Sequence, residues 1–463
     1  MKQDFCNSAA ALLLAAFGAG APALAADEKP EWLPENSLGV GIPTLADPTG
    51  VRQALWLRGI KVGVNYTGEY QGVSSGGLGR GSRYGHRFDF YTDVDLEKAV
   101  GWTGATFHAN IFQITGTGIS RYYLANLMAV SNIEALPTTR LFEAWIEQKL
   151  MDGKLGIKFG QLAADAEFAA SNYAGLFING TFGWPTIHAA NLPSGGPAYP
   201  LATPGIRISY AANDNLTLLA GLFNGDPSGP GATDPQIRNR YGLNFRVRDP
   251  AFAIGEVQYK YGDEKDPRSL SGSIKLGAWT HFGRFNDGRY GTDGLSLADP
   301  LSNGTPASYR GNYGFYGIID QQVYRLASDP TKGIGVFARL GASPSNRNLV
   351  DFYADAGVNF SGLVPGRPDD SFGFAFGYAQ ISPQIRGFDQ DANFFNATLS
   401  PVRKSEAVFE ATYSAQITPG WTIQPNFQYI FRPGGNVPDP TDPAGLRAVR
   451  NAVVIGVRSS IRY

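Results

Sequence analysis

The sequence predicts an all-β protein, a closed antiparallel transmembrane β-barrel of sixteen strands. Segments of about ten residues alternate apolar and polar side chains, and the connections between them alternate between short turns and long loops. No run of about 18 apolar residues follows the N-terminal region, which excludes a helical membrane protein. Because successive side chains of a strand point to opposite faces, this alternation gives one face to lipid and the other to a polar interior. Only a closed barrel lets strands cross lipid with every backbone group paired.

Residues 1–25 have the features of a secretory signal peptide. The apolar run from Ala9 to Ala19 is too short to span a membrane, and Ala23-Leu24-Ala25 forms an A-x-A cleavage site. We therefore expect an exported protein of the bacterial outer membrane. The only cysteine, Cys6, lies in this segment, so the predicted mature chain has neither disulfides nor thiol chemistry.

Residues 26–60 are predicted to form a periplasmic segment ahead of the barrel, which we place at 61–463. Asp47 and Pro48 suit the N-cap and first residue of a short helix over 48–58, and Gly59 suits its end. Two interpretations stay open at this stage. The segment is either a simple lead-in to the first strand or a partial cover of the inner mouth.

Seventeen segments have the pattern of a strand. The last, 450–463, places Val453, Ile455 and Val457 opposite Arg458, and it ends in an aromatic residue. Single-chain bacterial barrels have even strand numbers, so one segment is expected to be wrong. The weakest is 239–248, which carries three arginines, so we predict sixteen strands with eighteen as the alternative. The segments are 61–73, 87–98, 103–113, 139–150, 154–161, 204–211, 215–223, 239–248, 252–261, 271–283, 313–326, 333–342, 350–361, 371–380, 405–416, 421–432 and 450–463.

A soluble β-sandwich would show the same alternation, so the faces decide between the two folds. Aromatic residues recur near strand ends, as in Tyr66 and Tyr70 or Trp421 and Tyr429, which suits the girdles at a membrane interface. The opposite face carries many charges, which suits a wet lumen. Short turns alternate with long connections at 114–138, 162–202, 224–238, 284–312, 381–404 and 433–449, as in barrels with external loops.

Charges of both signs occupy the face that we assign to the lumen. With both signs present, the lumen is not expected to pass only cations or only anions. A neutral sugar needs hydrogen-bond donors and acceptors in fixed pairs and aromatic surface for its C–H groups, which such a lumen supplies. The other interpretation is that these charges merely solvate the interior. The predicted pore-lining residues of the strands are Arg87, Asp89, Asp93, Glu143, Trp145, Glu147, Lys158, Arg207, Arg339, Glu410 and Arg458.

The segment 162–202 is the best candidate for a constriction. Loops of about forty residues are usually functional rather than plain connections. This one contains Asp165 and Glu167, followed by several aromatic residues and a stretch rich in proline and glycine. Folded inward, it would narrow the channel and add both acids to the pore lining. Folded outward, it would be only a surface loop.

Motifs for catalysis or metal binding are missing from the sequence. The four histidines have no zinc-binding spacing, and no G-x-S-x-G nucleophile elbow, which is a strand-to-helix turn, accompanies them. The glycine-rich stretch 76–81 lacks the following Lys-Ser/Thr of a phosphate-binding loop. We therefore predict no enzyme activity, no catalytic residue, no metal and no cofactor. The net charge of −1 gives no indication of nucleic-acid binding.

Several motifs resemble those of the carbohydrate-selective OprB-type porins. Residues 141–148, LFEAWIEQ, resemble the family's strand in which a tryptophan lies between acids, and 160–168, GQLAADAEF, resemble its G-K-L-D-x-D-x-E-F segment. Gln161 replaces the family's basic residue and Ala163 replaces an acid. The resemblance implies a sixteen-stranded porin for glucose and related sugars, with Asp165 and Glu167 on the loop that forms the constriction. Further similar stretches are 176–183, 221–227, 410–414 and 423–430.

We predict a channel for passive, carbohydrate-selective diffusion of small sugars such as glucose through a water-filled barrel. Its partners would be the transported sugars and outer-membrane lipid. The alternatives are a general or other-substrate channel without sugar selectivity, and an outer-membrane hydrolase. The sequence leaves open the preferred sugar, the pore radius, and whether the barrel is a monomer or a homotrimer.

Overall fold

The computed structural model describes residues 32–262, 266 and 269–463. The predicted signal peptide lies outside the described residues. Sixteen antiparallel strands form a closed barrel in which each strand pairs with its neighbours in sequence. The strands are β1 Ile60–Gly77, β2 Gly81–Asp95, β3 Ala105–Gly116, β4 Thr138–Leu150, β5 Leu155–Leu162, β6 Thr203–Ala211, β7 Leu216–Asn224, β8 Ala251–Tyr261, β9 Gly272–Gly291, β10 Pro306–Arg325, β11 Gly333–Ala342, β12 Val350–Ser361, β13 Ser371–Ile381, β14 Ser405–Thr418, β15 Trp421–Phe431 and β16 Arg450–Arg462.

Short helices lie in the connections between strands. The α-helices are α1 Leu38–Gly41, α2 Val51–Trp56, α3 Leu96–Val100, α4 Thr186–Asn191, α5 Pro235–Arg238 and α6 Pro383–Phe395. A turn of π-helix spans Ser120–Leu124, a tight turn spans Pro433–Asn436, and single 3-10 turns lie at Pro43–Leu45, Ala174–Leu176, Gly180–Phe182 and Pro193–Gly195. Among the described residues, no helix is both long enough and apolar enough to cross a membrane.

Pairing of the first and last strands closes the barrel. The ladder between β1 and β16 runs from the pair Asn65 and Arg462 to the pair Gly77 and Arg450. Closure pairs the two terminal strands with each other, so their N–H and C=O groups are not left unpaired in lipid. The prediction of a closed antiparallel barrel of sixteen strands is therefore confirmed.

The two faces of the wall differ as the alternation predicted. Outward-facing Leu276 and Phe315 are 62% and 63% exposed, and many other large apolar side chains share that face. Apolar surface left in water is unfavourable by about 25 cal/mol per Å², so this face is suited to lipid. Inward-facing Glu256, Asp320 and Glu410 are instead buried inside the barrel.

The predicted strand at 239–248 is wrong. This segment belongs to the connection between β7 and β8, and it runs beside the upper part of β4, where the Leu141 N–H donates to the Tyr241 carbonyl at 3.0 Å. The reason lies in β5, which ends at Leu162 and leaves the edge of β4 above Ala144 without a neighbouring strand. The segment occupies that edge, and its alternation imitates a strand of the wall.

Some boundaries also differ from the predicted ones. The hairpin of β9 and β10 continues through most of the predicted loop 284–312, so the connection is only 292–305. The predicted second strand ends earlier, because Asp95 accepts hydrogen bonds from the N–H groups of Glu97 and Lys98 and thereby starts α3. The helix predicted at 48–58 is shorter, at Val51–Trp56, and the Asp47 carboxylate accepts from the N–H of Gln53 at 2.8 Å.

One side chain that the alternation placed outward lies inside the barrel. A shift of register between Ala109 and Ile111 on β3 changes the parity of the upper part of β4. Phe142 consequently faces inward and stacks on Phe112 with ring centroids 4.6 Å apart. A bulge of this kind changes the face of every residue beyond it, which alternation alone does not predict.

Candidate functional site: the interior of the barrel

Residues 163–202, which connect β5 to β6 and are called the inner loop below, fold into the barrel. Their buried side chains Phe177, Phe182 and Ile187 share a core cluster with inward-facing Phe337 and Tyr353 of β11 and β12. Each fully buried side chain of this size contributes about 1.5–3 kcal/mol. The inner loop is therefore packed against the wall and is not a free surface loop.

A glycine of the wall lets the inner loop approach β11 closely. At Gly335, an added Cβ would lie 2.1 Å from the ring of Tyr173 on the inner loop. Any other residue at this inward position would displace that ring. The sequence gives no reason for this glycine until the loop is in place.

Carboxylates of the wall hold the backbone of the inner loop. Glu410 accepts hydrogen bonds from the N–H groups of Ile178 and Asn179 at 2.7 and 2.8 Å. Hydrogen bonds to a charged group contribute about 1.5–3 kcal/mol each. The same arrangement joins Glu143 to Ala163, Glu256 to Ala169, and Asp320 to Asn172, at 2.9, 2.9 and 3.2 Å.

Arg339 of β11 provides the matching cationic anchor. Its guanidinium pairs with Asp355 of the neighbouring strand, and both side chains are almost completely buried. The same group donates to three carbonyl oxygens of the inner loop, those of Ala169, Thr181 and Gly183, at 3.0, 2.9 and 3.1 Å. Arg339 thus joins two wall strands to the loop and is not exposed to a solute.

Residues 117–137, which belong to the predicted long connection 114–138, form a second inward segment. Glu406 of β14 accepts from the N–H groups of Leu127 and Met128, both at distances below 3.1 Å. The Asn132 N–H donates to the Ile178 carbonyl at 2.8 Å, so the two inward segments are joined. The sequence contains a sign of this second anchored segment, because Glu406 lies four residues before Glu410 and therefore on the same inward face of β14.

Five of the predicted pore-lining residues form one network with the inner loop. Arg207 lies 3.0 Å from Glu147 and 2.6 Å from Glu167, and Lys158 lies 2.5 Å from Glu167. The Lys158 ammonium also lies 4.2 Å from the ring centre of Trp145. The charges of Arg207, Lys158, Glu147 and Glu167 neutralise one another, and the ring of Trp145 is covered by the Lys158 ammonium.

The neighbouring strands continue this network at its edge. The ring of Trp145 stacks on that of His108, with centroids 4.9 Å apart. His108 in turn bonds to Asp93 at 2.6 Å. Asp89 accepts from Asn65 and Asn110 at 3.4 and 3.0 Å. Asp93 and Asp89 are therefore hydrogen-bonded within the wall.

A cavity of about 580 Å³ remains between the two inward segments and the wall of β16, β1 and β2. Arg87 of β2 lines it and lies over the rings of Phe112 and Tyr199, at 4.6 and 5.1 Å. Within the described part of the chain, no carboxylate lies at ion-pair distance from Arg87. Other lining residues are Asn65, Thr67, Asn132, Glu134, Asp165, Trp184, Arg458 and Arg462.

Arg458 reaches the same cavity from β16. It pairs with Glu69 of β1 and donates to the Asn132 side-chain oxygen at 2.7 Å. Its charge is therefore balanced, and it fixes the second inward segment against the wall. Asn132, Trp184 and Tyr199 were not among the predicted site residues, because they lie on loops, where alternation gives no information about direction.

Two acids of the loops that face this cavity have raised pKa values. Burial raises the pKa of Asp165 to about 7, although the Tyr199 N–H donates to its carboxylate at 2.9 Å. Burial likewise raises the pKa of Glu134 to about 7, although it accepts from the N–H groups of Ile119 and Ser120. Near neutral pH, both carboxyls are therefore partly uncharged.

The structure thus divides the predicted site residues into three groups. Arg87, Asp165 and Arg458 meet at the cavity. Glu143, Arg339 and Glu410 hold the inner loop. The remaining residues, Asp89, Asp93, Trp145, Glu147, Lys158, Glu167 and Arg207, lie on the wall or the root of the loop within hydrogen-bonded networks. In the described ranges, no group of three or more His, Cys, Asp or Glu side chains could hold a metal ion.

Comparison with known proteins agrees with this geometry. Residues 79–463 match the family described as carbohydrate-selective porin, OprB family. Porin B of Pseudomonas aeruginosa is 23% identical over 436 residues, covering 89% of this chain and 90% of that protein. The putative porin QuiX of Acinetobacter baylyi is 20% identical over 392 residues, covering 80% and 81%. The high-pH structure of Pseudomonas putida OprB superposes with a TM-score of 0.80 at 23% identity, covering 90% of this chain and 97% of that chain.

The match to the family spans most of the chain, and the superposition independently confirms the fold. The predicted resemblance, the barrel and the outer-membrane location are therefore confirmed together. The chain belongs to the carbohydrate-selective porin family and is a sugar-selective channel of the bacterial outer membrane.

Proposed function

We propose that small sugars such as glucose cross passively through the cavity between the two inward segments and the wall of β16, β1 and β2. The observation that carries this proposal is the lining, which combines neutral hydrogen-bonding groups and aromatic rings with Arg87, a cation that has no carboxylate partner among the described residues. A sugar loses water at a narrow passage and needs donors and acceptors in return. Binding must also be weak enough for the solute to leave.

Arg87 is the residue to which we assign the main polar contact. A guanidinium presents five N–H donors in a fixed fork, which suits vicinal hydroxyl groups. Its position over Phe112 and Tyr199 orients that fork, and Asn132 adds an amide with both donor and acceptor atoms. Trp184 also lines the cavity, but it is only 9% exposed and its ring stacks on that of His188, so Phe112 and Tyr199 supply the aromatic surface. Glu147, Lys158 and Arg207 neutralise one another in the network above, and we propose that they shape the wall rather than bind sugar.

The inner loop would form the constriction, as the sequence suggested. Its contacts with the wall carboxylates and with Arg339 support a fixed narrowing rather than a moving lid. For the N-terminal segment we favour the simple lead-in. Its helix α2 lies beside the end of the barrel, where Arg52 lies 5.0 Å from the ring centre of Tyr463.

Single-channel recording in planar bilayers tests the proposal. For the wild-type protein, glucose should lower the conductance saturably. Arg87→Gln should raise the half-blocking glucose concentration at least about tenfold, because losing one charge-assisted hydrogen bond costs about 1.5–3 kcal/mol and 1.4 kcal/mol is tenfold. Arg450→Gln, an exposed arginine at the upper end of β16, is the matched control and should leave the block unchanged.

Three results would contradict this assignment in whole or in part. Conductance that is indifferent to glucose would favour a channel without sugar selectivity. Conductance absent altogether would favour a closed barrel and revive the hydrolase alternative. Equal glucose block in Arg87→Gln and wild type would keep the sugar path but remove Arg87 from it.

A further inference from the structure

Residues 239–248, called the outer segment below, extend the barrel wall without being part of it. The Arg140 and Thr138 side chains of β4 donate to the carbonyls of Asn239 and Arg240, at 2.5 and 2.9 Å. Gln161 donates to the Gly242 carbonyl at 2.9 Å. The contacts fix the start of the segment beside the upper part of β4.

The other end of the outer segment is fixed at the top of β7 and β8. Arg246 pairs with Asp249 at 2.6 Å, and the Asp249 N–H donates to Asn224, the last residue of β7, at 3.0 Å. Between these two anchors the chain runs laterally above the ends of β5, β6 and β7. These strands have only eight or nine residues, so the segment lies where longer strands would continue the wall.

Large apolar side chains alternate along the outer segment and are exposed. Tyr241, Leu243, Phe245 and Val247 are 58%, 58%, 49% and 78% exposed. A protein surface in water rarely carries such a row without a partner. The outward faces of the short strands below it carry exposed Phe159, Ile206 and Leu222. The apolar row is therefore continuous, by its place in the fold, with the lipid-facing surface of the barrel.

Two exposed arginines accompany this row. Arg240 lies beside Tyr241, with its guanidinium 5.7 Å from the ring centre, and Arg248 lies one residue beyond Val247. In the ranges that the structure describes, neither has a carboxylate at ion-pair distance. The combination of an apolar row with these two cations complements an acyl lipid that carries a phosphate headgroup.

We propose that the outer segment is a lipid-binding strip in the outer leaflet, where its apolar side chains contact acyl chains and Arg240 and Arg248 bind headgroup phosphate. The long loops of a barrel lie on the external side, and the outer segment belongs to one of them. A lipid bound to this strip would cover the barrel wall where the short strands β5, β6 and β7 end. This interaction is independent of the sugar path.

The position of the strip in the bilayer can be measured with a nitroxide label. The mature chain is expected to lack cysteine, so Val247→Cys gives a single labelling site in the full barrel. In vesicles, the label should be accessible to oxygen and protected from a water-soluble nickel complex. Leu301→Cys, at the external end of the β9–β10 hairpin and 84% exposed, is the control and should show the reverse.

The phosphate contact is tested by titrating the purified barrel in detergent with fluorescently labelled diphosphorylated lipid A. Arg240→Gln/Arg248→Gln should weaken binding by about thirtyfold, equivalent to about 2 kcal/mol at about 1 kcal/mol for each arginine near anionic headgroups. Arg450→Gln is the control and should bind as wild type does. Dephosphorylated lipid A should bind as weakly to wild type as the phosphorylated form binds to the double variant. Excess inorganic phosphate should not displace the lipid, because the acyl contacts are part of the site.

Other outcomes would overturn the proposal. A label at position 247 that is as accessible to nickel as the control would place the strip in water. Spin–spin broadening between labels at position 247, together with dimers in solution, would assign the apolar row to a second copy of the chain. Unchanged lipid A binding in the double variant would remove the arginines from the site, and displacement by inorganic phosphate would make it a plain anion site.

Discussion

Replacing Arg339 with methionine removes the group that joins the inner loop to two strands of the wall. The variant replaces the aliphatic stem of arginine but loses the guanidinium, and with it the pair with Asp355 and three hydrogen bonds to loop carbonyls. Removing one partner of a buried ion pair costs about 3–5 kcal/mol, and each buried carbonyl left without a donor costs about 1–3 kcal/mol. A combined loss of at least about 5 kcal/mol corresponds to more than a thousandfold change in the equilibrium between docked and undocked loop.

The barrel itself should survive this substitution, because its sixteen-strand ladder does not depend on Arg339. We expect a barrel with normal heat-modifiable mobility on gels, a single-channel conductance raised several-fold, and a weaker glucose block. Arg339→Met/Asp355→Leu separates the two causes, because it also removes the unpaired carboxylate. A conductance that stays high in the double variant assigns the effect to the lost loop contacts. A correctly folded Arg339→Met channel with wild-type conductance and glucose block would refute the account of how the loop is held.

Three further predictions concern the cavity and the wall. Because the pKa values of Asp165 and Glu134 are raised to about 7, both carboxyls are protonated well below pH 7 and ionised well above it. The preference of the channel for cations over anions, measured from reversal potentials, should therefore rise with pH around 7. The variant Asp165→Asn/Glu134→Gln should flatten this pH profile, and an unchanged profile would contradict the assignment. Gly242→Val places a Cβ 1.9 Å from the Leu141 carbonyl oxygen of β4. The variant should lower the free energy of unfolding by about 1–3 kcal/mol and leave the glucose block unchanged. Equal denaturation midpoints for variant and wild type would show that this close approach does not constrain residues 239–248. Gly335→Leu should displace the ring of Tyr173 and raise the conductance, whereas a wild-type conductance would show that the loop tolerates the clash.

The strands were predictable because their signal is local. Side chains alternate within each segment, and a closed barrel places all alternating faces consistently, so sixteen of the seventeen segments match strands of the structure. The exception, 239–248, has the same alternation without being a strand of the wall, since only its start contacts β4 and its apolar side chains are exposed. The ends of β9 and β10 were missed because their upper parts are rich in glycine, arginine and asparagine, which the pattern assigns to a loop.

The contacts inside the barrel were not predictable from the same pattern. The alternation along each strand places Arg339 and Glu410 inward, but it does not identify their partners. Glu410, for example, accepts a hydrogen bond from the N–H of Asn179, which is 231 residues away in sequence. Long-range contacts of this kind depend on the register of many strands and on the path of two loops. Consequently, the sequence indicated several charged residues as sugar contacts that the structure places in ion pairs or in loop anchoring.

In the proposed path, sugar crosses beside Arg87, between the inward segments and the wall of β16, β1 and β2. A crystal structure of the purified protein with bound glucose would test this most directly. We predict sugar density in the cavity, with hydroxyl groups at hydrogen-bond distance from the Arg87 guanidinium and the Asn132 amide. Glucose bound instead at Trp145 and Lys158, with the cavity beside Arg87 empty, would contradict the account.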